Sequence, residues 1–251
     1  MLDYCTFMTS EHERAFLPLH LNSLGYWYYN DSPNPFNIKV CVVEGDEETI
    51  ECCKQFPVEI IPLPTFRQET GLDAKNVDRT GQDIANRLRH MMEISTADWV
   101  VLAHLDIVYF DGGLLSLIDK CSIKDVGMIG EFCHGLTVVN KSIYDVCHFG
   151  FWALRRFHVE TMPENLFHFH GRCSCPEHVD GYGMLDTGAL LGIEMEAYGY
   201  SHERELIGGY DHASAQSGHV ETFYEGEQKE KLVIERIQRK EDFISRYERF
   251  E

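Results

Sequence analysis

The chain has 251 residues, 44% hydrophobic and 12% aromatic, enough apolar material to bury one large core and too much for a disordered or fibrous protein. A formal charge of −19 argues against a protein that wraps a phosphate backbone, because such proteins carry a basic surface; nucleic acid is disfavoured as a partner without being excluded, and multivalent cations suit the balance. Nine cysteines, an odd number irregularly spread, are expected as free thiols of a reduced, cytoplasmic protein, with no basic-then-apolar leader at the start and no stretch near the ~20 apolar residues of a membrane span.

In chain order, "DYCTFMT" is expected as a strand, and "SEHERAFLPLHLNSL" as a helix with Ser10 as its cap and Phe16, Leu19 and Leu21 facing inward. A Val-rich strand follows from Ile38 to Val43, then an acidic loop from Glu44 to Glu48, a short helix and a third strand in "VEIIPLP". "GQDIANRLRHMMEISTADWVVLAHLD" places Ile84, Leu88, Met91 and Met92 on one helical face, turns at "STAD", and runs into a fourth strand from Trp99 to Leu105. Strands alternating with helices at these spacings predict an α/β fold, a mostly parallel central sheet with helices on both faces. Ligands of such folds bind at the carboxyl ends of the strands, where Asp46 and the pair His104 and Asp106 fall.

Beyond Gly130 the pattern weakens. "GLTVVNKSIYDV" is read as a strand and a helix, the segment from Phe151 to His178 shows no period, and "DTGALLGIEMEAYG" reads as a helix with Ala189, Leu190, Ile193 and Ala197 inward and Gly199 as its stop. The densely charged end of the chain is expected as a helix with Val233, Ile237, Ile244 and Tyr247 on one stripe. The expected division is residues 1–222 as a catalytic domain and 223–251 as the charged C-terminal helix, which docks on the body or on a second copy in a homo-oligomer. The plainer alternative is a solvated helix with a narrow apolar seam.

Side chains alternate across a strand, so His104 and Asp106 are expected to point the same way while Leu105 points to the opposite layer. A carboxylate and an imidazole together suit a divalent cation such as Mn²⁺ or Mg²⁺, with positions left open for phosphate oxygens. A surface turn in which both merely satisfy backbone groups is the competing reading. The stretch "ADWVVLAHLDIVYFDGGLLSLI" resembles the segment of GT-A-fold, nucleotide-sugar-dependent glycosyltransferases in which an apolar strand runs into a D-x-D motif. In layout the resemblance extends over roughly the first two thirds of the chain and is nearest to family-2-like enzymes. It departs from the pattern at the first acid, which is His104 here, and keeps Asp106 at the position of the last.

That resemblance implies a Rossmann-like GT-A fold and transfer of a sugar from a nucleoside-diphosphate donor to an acceptor hydroxyl, with Asp106 as metal ligand and His104 at the metal or ribose. It also implies Asp46, in "VVEGD", at the base or ribose of the donor, and a late histidine as a further metal ligand, His212 in "GGYDHASAQSGH" being favoured over His219. The plainer readings are an exposed acid and ordinary loop histidines. Arg87 is a candidate for the donor pyrophosphate, because a guanidinium offers a planar fork of donors; Arg89 shares the argument, and both are equally explained as helix-surface charges. Asp186, at the start of "DTGALLG", is the candidate general base, which implies inversion at the anomeric carbon. It is also a natural N-cap, and the two roles can coexist.

"HFHGRCSCPEH" sets His168, His170, Cys173, Cys175 and His178 within eleven residues, and thiolate with imidazole is the ligand set of tetrahedral zinc. A structural Zn²⁺ held by His170, Cys173, Cys175 and His178 stands beside the alternative of a His-rich loop over the acceptor site. A nucleotidyltransferase on a similar sheet would want a Gly-rich, basic phosphate loop after the first strand, and "MTSEHERAF" is neither. A non-catalytic, zinc-stabilised binding module on the same fold is the remaining alternative. The donor sugar and the acceptor are not legible.

Overall fold

A computed structural model describes residues 2–7, 11–30, 36–43, 46–63, 87–110, 126–139, 142–155, 201–203, 209–213 and 226–247. Strand β1 (Leu2–Phe7) leads through a 3-10 turn (Glu11–Phe16) into α1 (Leu17–Asn30); β2 (Phe36–Val43), α2 (Glu47–Cys53) and β3 (Glu59–Leu63) follow. Helix α3 covers 87–94 and leads to β4 (Trp99–His104) and β5 (Ile107–Tyr109). Next come β6 (Val126–Val139), β7 (Ser142–Arg155), β8 (Ser201–Glu203), β9 (Tyr210–His212) and α4 (Gly226–Arg246).

The first four strands pair in parallel in the order β3-β2-β1-β4, the expected α/β arrangement. β1 is buried along its whole length and β4 along all but its last residue, which is why β4 reads as an unbroken apolar run up to His104, whereas in β1 the buried Asp3 and Thr6 interrupt the apolar residues. Among the described residues β3 lies at one edge, with Glu59 and Pro62 exposed, as suits a strand containing a residue that has no amide to donate.

Alternation sorts the sheet into two layers. Tyr4, Ile38, Val40, Val42, Val101 and Ala103 belong to one core cluster with α1, which supplies Leu17, Leu21 and Leu24. Asp3, Cys5, Phe7, Cys41, Val100 and Leu102 alternate to the other layer, to which buried Leu88, Met91 and Met92 of α3 also fall, as they are buried outside that cluster. Ser10 and Ile84 lie outside the described residues.

Two expectations need correction. The segment after Val139 is not a helix: Ser142–Arg155 is a strand that pairs antiparallel with both β4 and β6. Without it the far edge of β4 would present a row of unpaired backbone groups, and Ile143, Tyr144, Val146, Phe149 and Phe151 suit an extended chain better than a helix. The acidic loop is shorter than expected, because Glu47 and Glu48 already form the first turn of α2 with Asp46 as its N-cap. Two acids there meet the positive end of the helix dipole.

The C-terminal helix forms, but of the expected stripe Ile237 is exposed, Ile244 half-buried and Tyr247 buried, while the side chain of Val233 lies outside the described residues. Phe243 and Tyr247 join the core cluster with Ile244 packed against it, whereas Ile237 is 49% and Ile234 65% exposed. Only the last turns of α4 dock on the described body. No helix among the described residues is long and apolar enough to cross a membrane.

At the amino ends of the strands sits a buried polar knot that the sequence did not announce. Asp3 accepts hydrogen bonds from Ser95 Oγ at 2.6 Å, Asn37 Nδ2 at 2.9 Å and the Thr96 amide at 3.3 Å, and Lys39 Nζ stands 3.4 Å from it. It ties β1 and β2 to the loop that feeds β4.

Candidate functional site

At the opposite, carboxyl end of the sheet, β4 stops at His104 and the chain turns through Leu105 and Asp106 before β5 begins. The two candidate ligands therefore do not share one strand, as expected, but converge through this turn, with His104 Nδ1 3.7 Å from Asp106 Oδ1. β5 pairs antiparallel with β9, and their register sets Ile107 opposite His212. One backbone hydrogen bond, Ala213 N to Asp106 O at 2.8 Å, closes this small ribbon at the site; another, Phe110 N to Gly209 O at 2.7 Å, closes its far end. Gly209 has φ 84°, a conformation open to glycine at little cost.

The ribbon delivers His212 Nε2 to 3.1 Å from Asp106 Oδ1. One ligand atom from each of His104, Asp106 and His212 lies within 4.8 Å of the others. Donors about 2.1 Å from an octahedral cation stand roughly 3.0 Å apart when adjacent and roughly 4.2 Å when opposite, and the 3.1 and 3.7 Å spacings from Asp106 to the two imidazoles fall within that range. Asp106 is 1% exposed, and among the described residues neither of its carboxylate oxygens has a donor aligned for a hydrogen bond. Burial acts to raise its pKa, but the neighbouring His212 and then His104 outweigh it and hold the group below the usual carboxylate value. A buried anion flanked by two imidazoles is a strong cation-binding arrangement. His104, at the end of β4, also meets the edge of Phe7 from β1, with ring centroids 6.2 Å apart.

The location follows a general rule. In the order β3-β2-β1-β4 the chain leaves β1 toward β2 on one side and later returns to add β4 on the other. The carboxyl ends of β1 and β4 thus flank the topological switch point, where open α/β sheets bind ligands.

Beneath the turn lies a residue that sequence reasoning missed. His20 of α1 is fully buried, its Nδ1 2.6 Å from the carbonyl of Ile107, so the ring donates there and pins the residue that follows Asp106. Ser23, one turn on, receives the Tyr109 amide at 3.3 Å, and the Tyr4 and Tyr109 hydroxyls bond at 2.9 Å. The signal was present in "PLHLNSL": His20 and Ser23 continue the i, i+3, i+4 face of Leu17, Leu21 and Leu24, but only the apolar members of a helical face attract notice.

Burial pushes the His20 imidazole down to about 4, against the Ile107 hydrogen bond and the Asp106 charge, which raise it. A histidine depressed in the folded state contributes stability that is present above its unfolded value near 6.5 and is lost as the pH falls through about 4. The metal-free protein is therefore expected to lose roughly 3 kcal/mol on this account between pH 6.5 and 4. A His20→Asn variant places an amide Nδ2 where the imidazole Nδ1 donates to Ile107 and does not titrate. Its unfolding free energy, measured by urea denaturation across that range, should show a slope shallower than wild type by up to about 1.4 kcal/mol per pH unit.

Asp46 lies where the sequence placed it, beyond the carboxyl end of β2, and caps α2. It accepts from the Thr49 amide at 3.2 Å and from Thr49 Oγ1 at 2.6 Å, and Arg14 Nη2 pairs with it at 3.1 Å. Arg14 also pairs with Glu48. Burial acts to raise the Asp46 pKa, but the Thr49 and Arg14 contacts prevail and lower it. Arg87 of α3 is buried, 6% exposed, rather than on the helix surface, and its charge is felt at Cys41 in the layer that holds Phe7; Arg89 is half-buried. Asp186, His219 and the cluster of His168, His170, Cys173, Cys175 and His178 lie outside the described residues. The described cysteines Cys5, Cys41 and Cys53 are buried free thiols whose pKa is raised by burial, consistent with packing rather than reactivity.

No protein-family model matches the sequence, and no curated protein matches it. Among solved structures, the chain is similar to a mannosyltransferase from Pyrobaculum calidifontis in complex with GDP-mannose and Mn²⁺, at 13% identity and a TM-score of 0.43, over 66% of this chain and 48% of that one. It is similar to the galactosyltransferase LgtC in complex with donor and acceptor sugar analogues, at 12% identity and a TM-score of 0.44, over 64% and 60% of the two chains. It is also similar to glucosyl-3-phosphoglycerate synthase from Mycobacterium tuberculosis in complex with Mg²⁺ and UDP, at 10% identity and a TM-score of 0.45, over 65% and 59%. The matched region thus spans about half to three fifths of the length of these proteins.

Proposed function

We propose that the chain is a divalent-metal-dependent glycosyltransferase of the GT-A type, moving a sugar from a nucleoside-diphosphate donor to an acceptor hydroxyl. The observation that carries this reading is the convergence of His104, Asp106 and His212 at the switch point of a parallel sheet. The strand-into-motif pattern of "VVLAHLD" supports it. His104, Asp106 and His212 would hold the cation, and two imidazoles favour Mn²⁺ over Mg²⁺. When bound, such an ion neutralises the charge that gathers on a departing diphosphate.

The remaining roles follow from the chain's own residues. Asp46 receives the base or ribose of the donor, in competition with its present partner Arg14, and Arg87 addresses the pyrophosphate from the layer that His104 faces. Asp186 removes the acceptor proton, giving inversion. In this reading residues 1–222 are the catalytic unit of a cytoplasmic enzyme, residues 223–251 are an appended helix through which copies can associate, and His170, Cys173, Cys175 and His178 hold a structural Zn²⁺.

The test is a melting-temperature screen of nucleotide sugars with Mn²⁺, Mg²⁺, Zn²⁺ or Fe²⁺ and without metal, followed by product analysis. A donor at 100 times its Kd adds about 2.7 kcal/mol of stability, or roughly 5–10 °C for a chain of this size. The expected result is such a shift with Mn²⁺ and release of a nucleoside diphosphate. Release of pyrophosphate would identify a nucleotidyltransferase instead, and binding without turnover would identify a binding module.

A further inference from the structure

Asp211 and His212 are neighbours in β9, so they face opposite sides of the ribbon. His212 meets Asp106, while Asp211 is gripped from behind by the end of α4. Its Oδ2 accepts from the Tyr247 hydroxyl at 2.6 Å and from Arg246 Nη1 at 3.0 Å. The buried Tyr247 ring stacks on Phe110, just past β5, at 6.1 Å and 18°, and packs against Phe243, which meets Phe16 edge-on at 5.9 Å. One turn of helix thus touches both strands of the ribbon, β9 through Asp211 and β5 through Phe110.

A two-stranded ribbon of three residues a side is marginal on its own. The Asp106 side is held independently by α1, through His20 and Ser23. The His212 side has the α4 clamp.

We infer that the end of α4 is a strap that sets His212 against Asp106, so that docking of the C-terminal helix and binding of a divalent cation are coupled; this rests on the metal reading of the site. Arg246 and Tyr247 are then positioning residues that touch neither metal nor substrate and act through Asp211. Coupling is reciprocal: a helix that strengthens cation binding is itself held more firmly once the cation binds. The end of the appended helix thus supports the site without entering it.

The experiment uses the full chain, wild type and the double variant Arg246→Gln, Tyr247→Phe, which keeps the ring stack and removes both bonds to Asp211. Mn²⁺ affinity is read from the electron paramagnetic resonance signal of the free ion, and hydrogen exchange is followed over residues 243–247 with and without Mn²⁺. The double variant is expected to bind Mn²⁺ about 5–10-fold more weakly, and Mn²⁺ is expected to slow exchange of this segment in wild type but not in Asp106→Asn. Should the double variant fail to fold, Arg246→Gln alone, at a side chain 61% exposed, gives a smaller loss in the same direction. Unchanged affinity together with metal-independent exchange overturns the strap while leaving the metal site standing. A wild type that binds no Mn²⁺ overturns both.

Discussion

Asp106→Asn is expected to separate stability from activity. The substitution preserves shape and removes the buried charge that His212 and His104 hold in its ionised form, so the metal-free protein should lose only the modest stabilisation those imidazoles give the anion and melt slightly below wild type at neutral pH. On the proposed function, metal-dependent turnover should fall by about 10³-fold, the equivalent of roughly 4 kcal/mol of transition-state stabilisation. Calorimetry and a diphosphate-release assay on the same preparation check both halves. A variant that keeps its Mn²⁺-induced rise in melting temperature would remove Asp106 from the site.

Asp3→Ala is expected to do the reverse and cost stability without touching the candidate site. It removes the nearer and buried one of the two carboxylates beside Lys39, which is only 7% exposed and keeps the exposed Glu59 at 3.6 Å, and it takes the Asp3 acceptor from Ser95, Thr96 and Asn37. Breaking one side of a buried pair costs about 3–5 kcal/mol, a fall of roughly 10–15 °C in melting temperature for a chain of this length.

The acid limb of the stability curve carries a second signature. Burial acts to raise the Asp3 pKa, but Ser95, Asn37 and Lys39 together bring it below the ordinary carboxylate value. A depressed carboxylate stabilises above its unfolded pKa and ceases to as the pH falls through the folded one. The gap between wild type and Asp3→Ala should accordingly be full at neutral pH and close only below about pH 4. A gap that is the same at pH 3 and pH 7 would count against this ion pair as the cause.

The parallel half of the fold was legible because its central strands β1 and β4 are buried on both faces. "DYCTF" and "WVVLA" have no polar alternation to confuse with a helix, and the segments between them carry helical spacing. The hairpin of β6 and β7 was not legible past Val139. Its second strand exists because β4 needs a partner, and that demand is tertiary.

The site divides in the same way. His104 and Asp106 stood out because polar residues interrupt an apolar run, even though a turn and not strand alternation brings them together. His212 could be favoured only by analogy, since nothing in "GGYDH" shows that β9 will lie beside β5. His20 and the grip of Arg246 and Tyr247 on Asp211 were invisible, because each joins residues far apart in sequence: 87 positions separate His20 from Ile107, and 36 separate Tyr247 from Asp211. The stripe expected on the last helix erred at Ile237 because helical spacing reports which residues share a face and not how far along that face the body extends.

Among the described residues, β3 forms one margin of the large sheet, and this has a bearing on how the protein behaves when concentrated. An open margin of backbone invites a neighbouring molecule to add its own strand and start a fibre. Here that margin carries a prolyl ring at position 62 and a carboxylate at position 59, both turned to water. Replacing the proline by valine would supply the missing amide and a residue that prefers extension, exchanging a blunted border for one on which self-propagating growth can begin.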